Sequence, residues 1–167
     1  LAEPMEVEKA ALALDAALPR GIRVLAADAV DTHHAALMSQ AAGASYRVTL
    51  PYSKDVSAAV AEFNAAPELL FKKAAPKTKA KFKEIDVKFY IPQLTAKQTE
   101  TETIFSFDCK ITPTGSMKAV DLLNALNEQY GLALPVEMAD IERLRLYRNN
   151  KNGKPIPMLN SDAVTLG

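Results

Sequence analysis

Residues 84–94, EIDVKFYIPQL, carry the reading on which the fold turns. Ile85, Val87, Phe89 and Ile91 alternate with Asp86, Lys88 and Tyr90. A period of two sends successive side chains to opposite faces, so the segment predicts a strand with the first set buried and the second exposed. Residues 71–83, FKKAAPKTKAKFK, lead into it. That run is too charged and too poor in apolar periodicity to be core, and it reads as a solvated basic connection.

Working outward, residues 103–111 form the cleanest predicted strand, with Thr103, Phe105, Phe107, Cys109 and Ile111 on one side and Ile104, Ser106, Asp108 and Lys110 on the other. Residues 93–101 read as a polar connection between the two. Tyr46, Val48 and Leu50 alternate with Arg47 and Thr49 in a half-buried strand that Pro51 closes. Ser53 can cap a helix carrying Val56, Val60 and Phe63 at i, i+4 and i+7, and Pro67 stops it. Residues 69–73 and 141–148 read as further strands. Thr114 or Ser116 caps a second helix carrying Val120, Leu123 and Leu126, with Gly131 where a C-terminal glycine is expected.

From residue 45 the order is strand, helix, strand, strand, strand, helix, strand. With one strand set aside, this is a ferredoxin-like βαββαβ arrangement of the α+β class, an antiparallel sheet with both helices on one face and the other face open. Before it, Val7, Ala10, Ala11, Leu14 and Leu18 recur at helical spacing, and residues 22–27 read as a strand. These predict residues 1–42 as the helix-strand end of an incomplete, similar first half, residues 43–150 as the ferredoxin-like domain, and residues 151–167 as a flexible tail. The chain begins at Leu1 rather than methionine and shows no secretory signal, so a processed piece or fragment is expected.

Twenty basic and twenty acidic residues balance, so no global field points to a polyanion. The charge is nevertheless uneven. Residues 1–70 hold nine acids against five bases, and residues 71–167 hold eleven acids against fifteen bases. Cys109 is the one cysteine, which excludes an internal disulfide, a cysteine zinc site and an iron–sulfur cluster held by this chain alone. A buried structural thiol and a reducing cytoplasm fit best. No apolar run approaches the length of a bilayer span, so no membrane contact is expected.

The runs PMEVEKAALALDAALPRGIRVLAA, ASYRVTLP, EIDVKFYIPQL, TPTGSMKAVDLLNAL and IERLRLY, in this order, resemble the radical SAM-linked domain family. The resemblance covers about residues 1–150 and rests on distributed patterns rather than a catalytic signature. It implies a bacterial domain of unknown function fused to or encoded beside a radical SAM protein. It also implies a second ferredoxin-like half, a broad similarity to pseudouridine-synthase-type RNA-modifying folds, and a gene context of ribosome or RNA-processing genes. Members of that family begin with a further basic, aromatic segment that is absent from this sequence.

The open sheet face is the candidate site. If Ile85, Val87 and Phe89 face the helices, Lys88 and Tyr90 face outward. If Leu144 and Leu146 face inward on the last strand, Arg143, Arg145 and Tyr147 face outward. Tyrosines among cations suit base stacking and phosphate neutralisation, which makes Lys88, Tyr90, Arg143, Arg145, Tyr147 and Arg148 the candidate nucleic-acid or partner-binding residues. The lysines of residues 71–83, with Lys151 and Lys154, would extend that surface electrostatically. An ordinary solvated face accounts for the same residues, with Asp86, Asp108 and Glu142 pairing across strands.

Catalysis has weaker support. A pseudouridine-type mechanism needs an aspartate in a basic loop, and the nearest candidates, Asp86 and Asp108, lie within alternating strands. His33 and His34 are adjacent and point apart in extended chain, so no metal site is expected. No dinucleotide fingerprint, P-loop or nucleophile elbow occurs, and no cofactor is expected. The sequence thus predicts an accessory or binding module, not catalytic on its own, that works with a radical SAM protein and contacts RNA or a ribosomal particle. The alternatives are an RNA-modifying enzyme and a purely structural dimerisation domain. A basic exposed strip would mark the binding module, and a cleft around Asp86 or Asp108 would mark the enzyme.

Overall fold

The computed structural model describes residues 5–30, 33, 35–74, 81–159 and 163–166. It is a mixed helix and sheet structure whose sheets are antiparallel, and it divides into two compact units, residues 1–40 with 157–167 and residues 41–156.

The first unit begins with α1 (Val7–Ala17), whose chain turns back through Gly21 at a φ of 91° that glycine adopts without a Cβ penalty. Asp15 fixes that return. Its Oδ1 accepts the Val24 N–H at 2.7 Å and the Arg23 Nε–H at 3.1 Å, and these two donors hold the carboxyl below its usual range. Then come β1 (Ala26–Ala27) and α2 (Leu37–Gln40).

The second unit is built on β2 (Ala41–Leu50), followed by α3 (Ser57–Ala65), β3 (Leu70–Ala74), β4 (Phe82–Asp86), α4 (Val87–Tyr90), β5 (Leu94–Gln98) and β6 (Thr103–Thr112). A short β7 (Gly115–Ser116) folds back on the end of β6. Next are α5 (Ala119–Tyr130), a turn of 3₁₀ helix at Val136–Met138, β8 (Asp140–Asn149) and β9 (Pro155–Pro157). The main sheet runs β5-β6-β2-β8-β9, and β3 and β4 form a separate two-stranded sheet. Two short strands thus lie in the stretch read as a tail: β9, and β10 (Val164–Thr165), which pairs with β1 in the first unit.

β2 and β6 pair without interruption from Gly43↔Lys110 to Leu50↔Thr103. Their inner face, Val48, Leu50, Phe105, Phe107 and Cys109, forms one core with Phe63 of α3 and Leu122, Leu123 and Leu126 of α5. Each large apolar side chain buried there contributes about 1.5–3 kcal/mol. Thr103 is buried but satisfied: its Oγ1 donates to the Tyr52 carbonyl at 2.6 Å and accepts from Gln98 Nε2 at 3.0 Å. Asp121 serves two partners at the start of α5, accepting the Lys118 N–H at 3.2 Å and pairing with Lys73 of β3 at 2.6 Å.

Residues 84–94 are not one strand. β4 ends at Asp86 because the Asp86 Oδ1 accepts two backbone N–H groups, Lys88 at 2.9 Å and Leu69 at 3.1 Å. That is helix capping, and one turn of helix follows, closed by the Ile91 N–H on the Val87 carbonyl at 2.8 Å. A helical turn exchanges Phe89 and Tyr90, while Val87 and Ile91 stay on the buried side that the alternation predicts. Val87, Tyr90 and Ile91 are buried, and Phe89 is 51% exposed. The strand beside β6 is instead β5, in the stretch read as a polar connection. An edge strand with one covered face needs few apolar residues, and here buried Leu94 and half-buried Ala96 suffice.

Among the described residues no helix is long and apolar enough to cross a membrane.

Candidate sheet-face interface

The side chains opposite the core define the open face of the main sheet. From β6 come Ser106, Asp108 and Lys110; from β2, Gly43, Ser45 and Arg47. Thr95 and Lys97 extend it on β5. Ser45 Oγ donates to Asp108 Oδ1 at 2.5 Å across the two central strands.

β8 reaches this face through a register shift. Arg145 stands opposite Ser45, but the next partners are Arg143 and Tyr46, so Leu144 is an extra residue, a β-bulge. Tyr46 stacks on Phe107 with ring centroids 5.6 Å apart, on the helix side of the sheet. The bulge therefore separates two residues expected on one face: Arg145 and Tyr147 align with the open side, and Arg143 aligns with the helix side. Leu144 and Leu146 are not an inward pair either. Leu144 is 45% exposed and lines a shallow concavity of ≈440 Å³ with Ser45, Thr95, Ser106 and Asp108.

Tyr147 lies across Gly43, and a Cβ at Gly43 would overlap its ring. The missing side chain is what lets the ring lie on the sheet. Burial, then the nearby Asp108 charge, pushes the Tyr147 phenol above its ordinary value. Tyr147 also lines a second concavity of ≈310 Å³ with Lys110, Thr112 and Asn149.

Lys88 and Tyr90 do not belong to this face, because both sit in α4. Tyr90 is a core residue at 9% exposure. Lys88 Nζ lies 4.5 Å from the centre of the Phe63 ring and donates to the Pro92 carbonyl at 2.6 Å, while burial depresses its pKa against the opposing pull of Asp86. Arg148 stands opposite Ala41 near the end of β8. The six candidates are thus not brought together. Arg145 and Tyr147 remain on the open face, in a field where Arg47, Lys97 and Lys110 alternate with Asp108, Asp140 and Glu142. Arg47 and Glu142 pair at 3.4 Å, both largely exposed, an arrangement worth about 0–1 kcal/mol.

Asp86 is occupied as a helix cap, and Asp108 borders a shallow, open concavity. Cys109 is buried, its thiol pushed upward by burial and donating to the Met117 carbonyl at 3.4 Å. Among the described residues no three His, Cys, Asp or Glu side chains gather as metal ligands, and His34 lies outside those residues. Sequence reasoning missed Ser45, Thr95, Ser106 and Leu144. The polar face of residues 103–111 held a signal for Ser106, but nothing in the sequence marks Leu144 as a bulge.

The family described as "Uncharacterized protein conserved in bacteria (DUF2344)" matches residues 1–122. No curated protein and no solved structure matches the chain.

Proposed function

The chain belongs to this family conserved in bacteria, and from that premise we propose that it is a binding module whose open sheet face docks a protein partner. The concavity at Ser45, Ser106, Asp108 and Leu144 carries this reading. A lining that joins the hydroxyls of Ser45, Thr95 and Ser106 to apolar surface from Pro92 and Leu144 suits a complementary protein surface, and Arg145 and Tyr147, their neighbours on β8, are residue types that anchor interfaces. Its charges alternate in sign, which favours a protein over a phosphate backbone on this face.

The partner is a radical SAM protein, a choice that rests on the resemblance of the sequence to the radical SAM-linked domain. The strand order β5-β6-β2-β8 also supports a ferredoxin-like reading of the second unit. In that reading α3 and α5 are the two crossovers and the β3–β4 hairpin is an insertion before the second strand.

Titration of the full chain into a purified radical SAM protein of the same organism tests this directly. Saturable binding by calorimetry is expected, weakened at least about tenfold by Leu144→Asp and by Ser45→Arg, since a charge or a long side chain in the interface centre costs more than about 1.4 kcal/mol. Binding that neither substitution changes, or no binding, overturns the proposal.

A further inference from the structure

We propose that the open sheet face also docks on a second copy of itself, about a twofold axis that crosses β8 near Leu144, and that this self-pairing excludes the protein partner. It rests on the reading of that face as a protein-docking surface. Along β8 the open side reads Tyr147, Arg145, Leu144, Glu142 and Asp140, so its charge changes sign at the bulge. Arg145, Glu142 and Asp140 are exposed, and Leu144 is 45% exposed between them. Among the described residues Arg145 and Asp140 make no ion pair, and Glu142 has only its loose 3.4 Å contact with Arg47. Such a strand is complementary to its own reverse.

Two sheets that pack face to face keep their strands near alignment. An axis at right angles to β8, between Arg145 and Glu142, sets Arg145 of each copy on Glu142 of the other and lets each Tyr147 hydroxyl donate to the facing Asp140 carboxylate. Both contacts occur twice, as an isologous interface requires. The neighbouring strands agree with this. Lys110 shares a row with Tyr147, Asp108 with Arg145, and Arg47 with Glu142. The same axis places Lys110 on Ile104, Asp108 on Ser106 and Arg47 on Ser45, so no two like charges face each other. An axis running along β8 would instead set Arg145 on Arg145 and Glu142 on Glu142, and like charges brought together across an interface oppose it. The four rows on three strands span roughly 25 by 14 Å, about 350 Å² of flat area. That is under half of the ~800 Å² a side that stable complexes bury. The pairing is therefore weak and reversible, and a partner that covers more of the sheet displaces it.

The test is sedimentation velocity of the full chain from micromolar to millimolar concentration. A reversible monomer–dimer equilibrium that weakens as salt rises is expected. Arg145→Glu and Glu142→Arg should each weaken the dimer at least about tenfold, because each sets two like-charge pairs across the axis. Mixing these two variants should restore association, and so should both substitutions in one chain, since opposite charges then meet again at every contact. Arg145→Gln and Glu142→Gln, which remain usable where circular dichroism shows that a charge reversal has unfolded the chain, should weaken the dimer by a smaller factor. The proposal is overturned by a parent chain that stays monomeric, by reversals or neutral variants that dimerise as the parent does, or by mixed reversals that stay apart. None of these outcomes alters the calorimetric effect expected of Leu144→Asp and Ser45→Arg on binding to the radical SAM protein. A dimer in a chain that does not bind that protein strikes the partner and leaves the pairing. A radical SAM protein that sediments with an intact dimer overturns the exclusion.

Discussion

β6 and the segment running from β4 into α4 carry the same alternation of apolar and polar side chains, yet they end in different structures. β6 is held on both sides, by β2 and by β5, so every second residue is fixed toward the core. β4 has one partner, β3, and beyond Asp86 the chain has none to follow. There a capping carboxylate is enough to turn it into a helix. Alternation specifies a strand only when neighbouring strands supply the ladder that it needs.

The largest expected effect probes the well-held strand. Phe105→Ala should destabilise the protein by about 3–5 kcal/mol in urea unfolding, since Phe105 is fully buried between both helices and the sheet. In the less held segment, Tyr90→Ala should cost about 3 kcal/mol, and Phe89→Ala about 0.5 kcal/mol, because Phe89 projects outward. A larger cost at Phe89 than at Tyr90 would restore the strand reading and end the comparison. Gly43→Ala should cost about 1–3 kcal/mol through the clash with Tyr147, and Tyr147→Ala in the same chain should recover most of it, which a double-mutant cycle measures. Asp86→Ala should cost about 1 kcal/mol by removing the acceptor of two backbone N–H groups.

The smallest effect is a pH dependence. Because the folded Tyr147 phenol titrates above its ordinary value, the folded state binds its proton more tightly than the unfolded state does. That contribution is fully present below the unfolded value of 10.0 and is lost as pH rises through the folded one. Tyr147→Phe should flatten the alkaline side of the stability profile, and phenolate absorbance should lose a component that titrates above the ordinary value.

The central strand pair was legible because Val48, Phe105 and Phe107 face the core as their spacing requires, and the two helices followed from Phe63 and from Leu123 and Leu126. Cys109 is buried as its position in that pattern demanded. The edge strand β5 was hidden because an edge needs only Leu94 and Ala96 on its covered side. The site was less legible than the fold. A bulge is a two-residue event set by the partner strand, so the side that Arg143 and Arg145 share in the alternating pattern is lost at Leu144. Lys88 and Tyr90 moved for the different reason that Asp86 prefers capping to pairing.

Asp121 gives the hairpin a part in how the molecule opens. One carboxylate serves both the first turn of α5 and Lys73 of β3. Detaching the hairpin leaves that helix start without its cation, and fraying of the helix releases the hairpin in turn. The two segments should therefore exchange their amide hydrogens as one cooperative unit, although many residues separate them in the chain. Asp121→Asn should uncouple them, giving two opening events where the parent protein shows one.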